Sequence, residues 1–484
     1  MRSACFGIDV GTSAVKGLAI DHSGRVLASA QAGYPLSTPR AGWAEQDPEA
    51  WWRATETVLA RLRAEAGAPA GIGLSGQMHG LVALDARDRV LRPAILWNDQ
   101  RTVAECEEIT AVLGRERLIE LTGNRALTGF TAPKLLWIRR HEPEIYARIA
   151  RIALPKDYVR LRLCGEHATD ASDASGTLLL DVAGRRWSSE VLGALEIEPS
   201  WLPRVLESPS VSGTTSEGVP VAAGGGDQAA GALGVGVVRS GPVSVVLGTS
   251  GVVFAALERF AADPEGRVHA FCHAVPGMWH AMGVMLAAGG SLRWLRDVAG
   301  GGRSYDELVA EAAAWPAGTE GLLFLPYLAG ERTPHADPEA RGAYAGLSVR
   351  HDRGALVRAV LEGVAYGLRD ALDLVEALSG GAAAEFGRVS GGGARSELWL
   401  RIVASVLELP LERVAVDEGA AFGAAILGGV AAGAWPDVGT AVAATVKPRE
   451  RVEPVPAWAR YYREGRERFR ALYPALRGVV GPDG

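Results

Sequence analysis

The sequence predicts an α/β protein built from two related halves, and three observations support this prediction. Two segments match one another, ACFGIDVGTSAVKGLAI at 4–20 and PVSVVLGTSGVVFAALE at 242–258, and each reads as two apolar strands joined by Gly-Thr-Ser. The two triplets lie about half of the 484-residue chain apart. Further on, a strand-like GRVS leads through Gly391-Gly392-Gly393 into a helical pattern, an order typical of α/β folds.

Composition and charge restrict the class of protein. Lys and Arg number 50 against 56 Asp and Glu, and no basic patch stands out, so nucleic acid is not an expected partner. The longest apolar stretch is interrupted by Gly, Thr and Ser, and the first residues lack the pattern of a signal peptide, so no membrane association is expected. The four cysteines form no C-x-x-C pair. We therefore expect a soluble cytoplasmic protein with reduced thiols.

The two Gly-Thr-Ser turns are candidate phosphate-binding loops. Glycine lets a ligand approach the backbone, while Thr and Ser add hydroxyl donors beside free N–H groups. A single such turn is more often an ordinary hairpin turn. Because two copies occupy matching places, the sequence favours phosphate binding by both triplets: Gly11, Thr12 and Ser13, and Gly248, Thr249 and Ser250.

An acid precedes only the first of these turns. Asp9 lies at the end of an apolar strand, where aspartate is disfavoured, and Val246 holds the matching place in the second copy. A carboxylate beside a phosphate loop is a natural holder of Mg²⁺, directly or through water. The alternative is an Asx-type turn bond.

The third glycine cluster, which includes Gly392, Gly393 and Ala394, predicts the adenosine side of a nucleotide site. The G-x-G-x-x-G match at 71–76 is set aside, because the residues after it indicate a turn and a strand instead of a helix. The sequence contains no G-x-x-x-x-G-K-[ST], which excludes a P-loop nucleoside triphosphatase.

A lone carboxylate, Asp227, lies within the glycine- and alanine-rich run AAGGGDQAAGAL at 222–233. Small neighbours leave ligands room to approach it, so it is a candidate general base. It is equally a candidate N-cap for a helix that starts at Gln228. Spacing alone does not separate these two interpretations.

Taken together, the motifs resemble those of the FGGY carbohydrate kinases nearly from end to end. The matching segments are GIDVGTSAVKG (7–17), GWAEQDPEAWW (42–52), GQMHG (76–80), RPAILWNDQR (92–101), GFTAPKLLWIRRHEPEI (129–145), LPKDYVRLRLCGE (154–166), GGGDQAAGALGVG (224–236), LGTSGV (247–252), LPYLAGERTPH (325–335) and SGGGARSE (390–397). The resemblance implies two actin-like (ribonuclease H-like) domains, with ATP and sugar in the cleft between them. We expect an N-terminal domain over 1–238 that binds the sugar and carries the base, and a C-terminal domain over 239–484 that binds ATP.

The resemblance also assigns roles to residues. It implies that Asp227 is the general base and that Met78 and His79 contact the sugar, with Gln228 next to the base. Three neighbours are expected near the same pocket: Trp97, Asn98 and Asp99. Lys134 is interpreted as an ion-pair partner, and for Glu331 and Arg332 a surface salt bridge is weighed equally against a role in the site.

The activity implied by the resemblance is ATP-dependent phosphorylation of D-xylulose to D-xylulose 5-phosphate in pentose catabolism, with Mg²⁺ held mainly through water by Asp9. Family members that act on D-xylulose carry Asn after the base, whereas this chain has Gln228, as those that act on glycerol do. Ribulose, gluconate and glycerol therefore stay open as substrates, as does an actin-like ATPase switch without kinase activity. The expected partners are ATP, a small sugar and, as one assembly, a second copy in a homodimer.

Overall fold

The computed structural model describes residues 4–416 and 419–479. In the first half of the chain the strands are β1 (Ala4–Val10), β2 (Ala14–Ile20), β3 (Val26–Gly33), β4 (Glu45–Gln46), β5 (Pro69–Gly76), β6 (Val82–Leu84), β7 (Ala94–Ile95), β8 (Arg151–Ala153), β9 (Ala168–Asp170), β10 (Leu180–Asp181), β11 (Arg186–Trp187), β12 (Arg204–Leu206), β13 (Val211–Thr214), β14 (Pro220–Ala222) and β15 (Gly225–Gly226). The helices of this half are α1 (Pro48–Ala66), α2 (Val103–Leu113), α3 (Arg115–Thr122), α4 (Thr131–His141), α5 (Pro143–Tyr146), α6 (Pro155–Cys164), α7 (Ala171–Ala174), α8 (Ser189–Ala194) and α9 (Asp227–Val235).

The second half continues the same mixture of strands and helices. Its strands are β16 (Val243–Leu247), β17 (Gly251–Leu257), β18 (His269–Cys272), β19 (Trp279–Met285), β20 (Leu323–Leu325), β21 (Ala343–Ala345), β22 (Gly387–Ser390), β23 (Leu411–Val414) and β24 (Pro448–Val452). Its helices are α10 (Gly289–Ala299), α11 (Tyr305–Ala313), α12 (Arg353–Leu378), α13 (Glu397–Leu407), α14 (Gly419–Ala431), α15 (Val438–Thr445) and α16 (Pro456–Leu476).

Each half contains a seven-stranded sheet, and the two sheets share an internal arrangement. The first has the order β13-β14-β5-β1-β2-β3, with β15 also paired to β5, and the second has the order β18-β19-β17-β16-β22-β23-β24. In each sheet a Gly-Thr-Ser hairpin, β1-β2 or β16-β17, pairs antiparallel within itself and parallel with the strand on its other side, β5 or β22. The predicted α/β fold with two related domains is confirmed.

The central strand β1 is buried on both faces, apart from Asp9, which is half-buried. A strand covered on both sides reads as a nearly continuous apolar run, which is what ACFGIDV shows. Within the described residues no helix combines the length and the apolar character needed to cross a membrane.

One helix of the second half packs on the sheet of the first. α14 lies against β1, β5 and α9. A Cβ added to Gly7 would lie 1.9 Å from the carbonyl oxygen of Ala421, and one added to Gly73 would lie 1.8 Å from that of Ala424. Glycine is therefore required where the helix backbone rests on the strands. The G-x-G-x-x-G match at 71–76 belongs to this strand, β5, and serves helix packing.

Candidate active site

Two carboxylates that are far apart in the sequence meet at one edge of the first sheet. β1, β5 and β15 run parallel, and their register places Asp9 beside Ser75 and Ser75 beside Gly225. Parallel strands end at the same edge, and α9 begins there with Asp227. Asp9 is close enough for its charge to raise the pKa of Asp227.

Asp227 is the first residue of α9, and the N-cap of this helix is Gly226. The interpretation of Asp227 as the N-cap is therefore wrong by one position. Its side chain is half-buried. Burial raises the pKa of Asp227 to about 7, the charge of Asp9 adds to this rise, and hydrogen bonds from the backbone and side chain of Gln228 oppose it. A carboxylate with a pKa near 7 is well suited to accept a proton at neutral pH.

Asp9 presents a carboxylate oxygen without a partner. Its Oδ1 is buried and accepts no hydrogen bond from the residues that the structure describes. In the turn that follows, the Gly11 N–H donates to the Ala14 carbonyl at 3.1 Å, so the alternative of an Asx-type turn bond is not observed there. Burial raises the pKa of Asp9, while the Ser75 hydroxyl and the charge of Lys16 lower it.

The first Gly-Thr-Ser loop bonds to residues that follow β5 and β7. The Thr12 hydroxyl donates to Gln77 Oε1 at 3.2 Å and accepts from Trp97 Nε1 at 3.1 Å. The Tyr34 hydroxyl donates to the carbonyl of Gly11. The Thr12 hydroxyl is therefore engaged within the protein, whereas the exposed Ser13 leaves its hydroxyl open to a ligand.

The second Gly-Thr-Ser loop lies against the start of α10. The carbonyl of Gly248 accepts from the Gly289 N–H at 2.8 Å, and that of Thr249 accepts from the N–H groups of Ala288 and Gly290 at 2.9 and 3.0 Å. The Ser250 hydroxyl donates to the Leu286 carbonyl at 3.2 Å. These bonds fix the loop and satisfy amide groups that a helix start leaves unpaired.

Beside this second loop lies a cavity of about 630 Å³, within the usual range for ligand pockets. The turn after β22 brings Gly392 and Gly393 into its wall together with Gly248 and Thr249. A Cβ on Gly391 would lie 2.7 Å from the Leu247 carbonyl carbon, so this turn requires glycine. Leu247, Arg395 and Ser396, from the matching segments 247–252 and 390–397, also line the cavity. The remaining lining residues were not singled out by the sequence: Gly289, Leu292, Arg293, Ser304, Tyr305, Asp306, Val309 and Trp399.

Ala394, predicted to lie with these glycines, lines a separate cavity of about 350 Å³. It is buried, and its carbonyl oxygen accepts a hydrogen bond from Arg413 Nε at 3.0 Å. Of the three residues in the predicted adenosine-side turn, the structure therefore brings two into the larger cavity.

Met78 packs against Gly226, the residue before Asp227, and His79 lies beside Gly176. A Cβ on Gly226 would lie 2.9 Å from Met78 Sδ. His79 Nδ1 lies 2.6 Å from the carbonyl oxygen of Gly176. A carbonyl can only accept, so Nδ1 carries the proton and Nε2 is left as an acceptor. Burial lowers the pKa of His79 to about 3, and the neutral ring can therefore accept a hydrogen bond from a sugar hydroxyl.

Lys134 holds the backbone of His79. Its buried ammonium donates to the carbonyl oxygens of His79 at 2.8 Å and Gly129 at 2.6 Å, and burial lowers its pKa well below the usual range. The structure shows no salt bridge of Lys134 with any described acid, so its interpretation as an ion-pair partner is wrong. Lys134 instead fixes the turn that presents His79.

The segment Trp97–Asp99 divides between the pocket and the core. Trp97 is 37% exposed and bonds to Thr12, and Asn98 has a buried Oδ1 without a hydrogen-bond partner among the described residues. Asp99 is fully buried, forms a salt bridge with Arg101 at 2.7 Å and accepts from the Ala44 N–H at 2.6 Å. Trp97 and Asn98 are therefore available to a ligand, whereas Asp99 supports the fold.

Aromatic rings from both halves surround His79. Phe130 meets it edge-on with ring centroids 4.8 Å apart, and Phe271 on β18 lies 6.1 Å away. His269 stacks on Phe271, and its Nδ1 lies 2.6 Å from Asn124 Oδ1. Phe130 lies in the matching segment 129–145, whereas Asn124, His269 and Phe271 belong to none of the matching segments, and only the packing of the two halves brings them to the pocket.

Glu331 is buried, so its interpretation as part of a surface salt bridge is wrong. Its Oε1 accepts from the N–H groups of Leu286 at 3.0 Å and Arg332 at 2.7 Å. Burial raises the pKa of Glu331 to about 8. Because Leu286 also accepts from Ser250, Glu331 braces the second Gly-Thr-Ser loop. The charge of Arg332 is one of the causes that lower the pKa of His79.

Comparison with known proteins matches both halves of the chain. Residues 4–234 match the N-terminal domain of the FGGY family of carbohydrate kinases, and residues 243–432 match the C-terminal domain. The chain is 44% identical to a xylulose kinase of Escherichia coli (strain K12), over 97% of this chain and 98% of that protein. A solved structure from Brucella ovis, described as a xyloylose kinase, has a TM-score of 0.93 at 43% identity, covering 98% of this chain and 100% of its own. A xylulose kinase from Rhodospirillum rubrum has a TM-score of 0.91 at 33% identity, covering 99% of both chains.

Proposed function

Because this chain belongs to the FGGY family of carbohydrate kinases, we propose that it transfers the γ-phosphoryl group of ATP to the terminal hydroxyl of D-xylulose. The product is D-xylulose 5-phosphate. Membership of the family makes the chain a sugar kinase that uses ATP, and the sugar is inferred from the xylulose kinase of Escherichia coli, to which it is 44% identical.

The observation that carries the chemistry is the position of Asp227. Its carboxylate lies at the edge where β1 and β15 end, beside Asp9, and residue 226 contacts Met78 of the sugar pair. A base at this point faces a sugar held by Met78 and His79 on one side and the first Gly-Thr-Ser loop on the other. This arrangement suits transfer of a phosphoryl group onto a sugar hydroxyl.

We assign the steps as follows. His79 Nε2 accepts a hydrogen bond from the sugar, and Trp97, Asn98 and Gln228 complete the pocket. Asp227 accepts the proton of the terminal hydroxyl while that oxygen forms a bond to the γ-phosphorus, and the bond from phosphorus to the bridging oxygen of ADP breaks. Such reactions depend mostly on positioning and charge neutralisation, so one weak base is enough.

ATP is assigned to the loops of both halves. Gly11, Thr12 and Ser13 and the triplet 248–250 hold the phosphates, and the cavity beside Gly392 and Gly393 takes the adenosine. Asp9 is the residue that would hold Mg²⁺: its buried Oδ1 lacks a partner among the described residues, and a cation that keeps its waters suits a site with so few carboxylates. Bound Mg²⁺ would neutralise charge on the phosphates.

The four cysteines are free, with Cys5 and Cys272 buried, which supports a cytoplasmic location. We place the boundary between the two domains after residue 238. The second sheet begins close behind it with β16 at Val243.

D-Xylulose is expected to have a higher kcat/KM than glycerol, because the pocket pairs the ring nitrogen of His79 with the unpartnered amide oxygen of Asn98, and these two groups can bind separate hydroxyls. The measurement is ADP release with ATP, Mg²⁺ and a panel of D-xylulose, ribulose, gluconate and glycerol. Gln228→Asn serves as the matched variant, since it changes only the length of the amide beside the base. A higher kcat/KM for glycerol than for D-xylulose would overturn the substrate assignment. If Gln228→Asn then preferred D-xylulose, Gln228 would be identified as the cause of the glycerol preference.

The reaction is expected to slow as the pH falls through about 7. Burial raises the pKa of Asp227 to about that value, and only the deprotonated carboxylate can accept a proton. Below this pH kcat/KM should therefore fall about tenfold per pH unit, and above it the rate should level off. The measurement is the pH profile of kcat/KM for D-xylulose at saturating ATP. A rate that stays constant from pH 8 to pH 5 would contradict the role of Asp227.

A further inference from the structure

The segment that carries Asp227 rests on a buried network of charged side chains. Lys156 on α6 is fully buried, and its Nζ lies 2.7 Å from Asp157, 2.9 Å from Asp170 and 2.9 Å from Asp173. Arg160, also fully buried, lies 2.7 Å from Asp157. These five residues, 156, 157, 160, 170 and 173, are called the ionic network below.

The ionic network is close to neutral. Burial raises the pKa of Asp173 to about 8, so this carboxyl largely keeps its proton at neutral pH. Lys156 and Arg160 then balance Asp157 and Asp170. A buried ionic cluster is weak evidence for stability, since apolar residues of similar volume often serve the fold as well. Its position next to the base suggests another purpose.

Two hydrogen bonds tie this network to the residues before Asp227. The Gly226 N–H donates to Ser172 Oγ at 3.1 Å, and the Ser172 hydroxyl donates to Asp170 Oδ2. Arg160 donates to the carbonyl of Ala223. The segment 223–226, which includes β15, is therefore held at both ends, at Gly226 by Ser172 and at Ala223 by Arg160.

Asp170 is itself fixed. Its Oδ2 also accepts the N–H groups of Ser172 at 2.8 Å and Asp173 at 3.3 Å, which caps α7, and the Ser208 hydroxyl at 3.0 Å. Its Oδ1 faces Lys156. A hydroxyl oriented by such an acceptor has little freedom to leave its bond with Gly226.

From these contacts we propose that Ser172, held by Asp170 and the ionic network, is a positioning residue that aligns Asp227 for proton transfer. It acts through Gly226, the residue immediately before the base, and its complete burial keeps it from contact with a substrate. This inference rests on the proposed role of Asp227 as the general base. It explains why charged residues are buried beneath a segment made of glycine, which by itself has no side chains to fix its backbone.

Ser172→Ala is expected to lower kcat by about 10- to 100-fold, since a misplacement of about 1 Å can have an effect of that size. The KM values for D-xylulose and ATP should stay close to those of the unmutated enzyme, because neither ligand touches Ser172. Ser405→Ala is the matched control: this serine is also buried, and its hydroxyl likewise accepts a backbone N–H, that of Val455 at 2.9 Å, but it is not part of the ionic network or the proposed site. The kcat of this control variant should be nearly unchanged, while its melting temperature falls by about as much as that of Ser172→Ala.

A double-mutant cycle separates positioning from a general structural effect. In the Asp227→Asn background there is no base to align, so Ser172→Ala should produce no further loss of kcat. An equal fold-loss in both backgrounds, or an equal loss in Ser405→Ala, would overturn the inference. If Ser172→Ala does not fold, Ser172→Cys keeps the size of the side chain and weakens both bonds, and the same cycle applies. Normal activity of Asp227→Asn alone would instead refute the proposed function.

Discussion

Replacing Asp227 with asparagine is expected to lower kcat by about 10²- to 10⁴-fold, the usual contribution of general-base catalysis. Asparagine has nearly the same shape, so the sugar and ATP should still bind, but its amide cannot accept the hydroxyl proton. The measurement is kcat at saturating ATP and D-xylulose, together with a sugar-binding titration and a thermal melt.

The raised pKa of Asp227 also predicts the direction in which Asp227→Asn changes the stability of the fold. The pKa of Asp227 is raised in the folded state from 3.8 to about 7, so its contribution to stability is present below about pH 4 and is lost as the pH rises towards 7. Asparagine carries no charge, and at pH 8 the variant should melt no lower than the unmutated protein. More than about a tenth of the original kcat in Asp227→Asn would show that Asp227 is not the base.

Asp9→Asn is expected to lower the rate with Mg²⁺ and ATP by about 10²-fold, comparable to the loss of one electrostatic contact to the reacting groups. The variant should require more Mg²⁺ for half-maximal rate, because the charge assigned to the cation is removed. Binding of the sugar alone should change little, since Met78 and His79 remain. The measurement is the Mg²⁺ dependence of the rate, with a sugar titration in the absence of ATP.

Asp85→Asn is the matched control for this experiment. Asp85 is also a buried carboxylate of the first half, but it accepts from the N–H groups of Arg87 and Arg89 in the turn after β6 and has no assigned ligand. Its loss should lower the melting temperature and leave the Mg²⁺ dependence unchanged. An unaltered Mg²⁺ dependence in Asp9→Asn would contradict the assignment of the metal to Asp9.

The fold could be predicted from the sequence to the level of two related sheets. Each Gly-Thr-Ser hairpin is formed by residues that are close in the sequence, so its strands and turn can be recognised from local sequence patterns. The packing of α14 against β1 and β5 was not predicted. It depends on glycines such as Gly7 and Gly73, which have no side chain and therefore add nothing to a hydrophobic pattern. These glycines also lie far from α14 in the sequence.

The sequence identified some residues of the candidate site and missed others, because tertiary contacts leave no pattern in the sequence. Asp9 and Asp227 stand out because acids are unusual in their local surroundings, and the structure brings them to one sheet edge. Lys134 was misinterpreted as an ion-pair partner, and a surface salt bridge was weighed for Glu331, because charge alone does not reveal burial, and both bond to backbone groups. The ionic network was missed entirely: Lys156 and Asp170 lie on separate elements, and only the tertiary fold brings them together.

The central claim is that ATP turnover is transfer to a sugar, and a single-turnover quench with ATP labelled at the γ-phosphate tests it most directly. With enzyme in excess over ATP, D-xylulose should accelerate loss of label from ATP strongly, and the label should appear in D-xylulose 5-phosphate, with little inorganic phosphate. Release of the label as inorganic phosphate at the same rate with and without D-xylulose would contradict the account and indicate an ATPase switch.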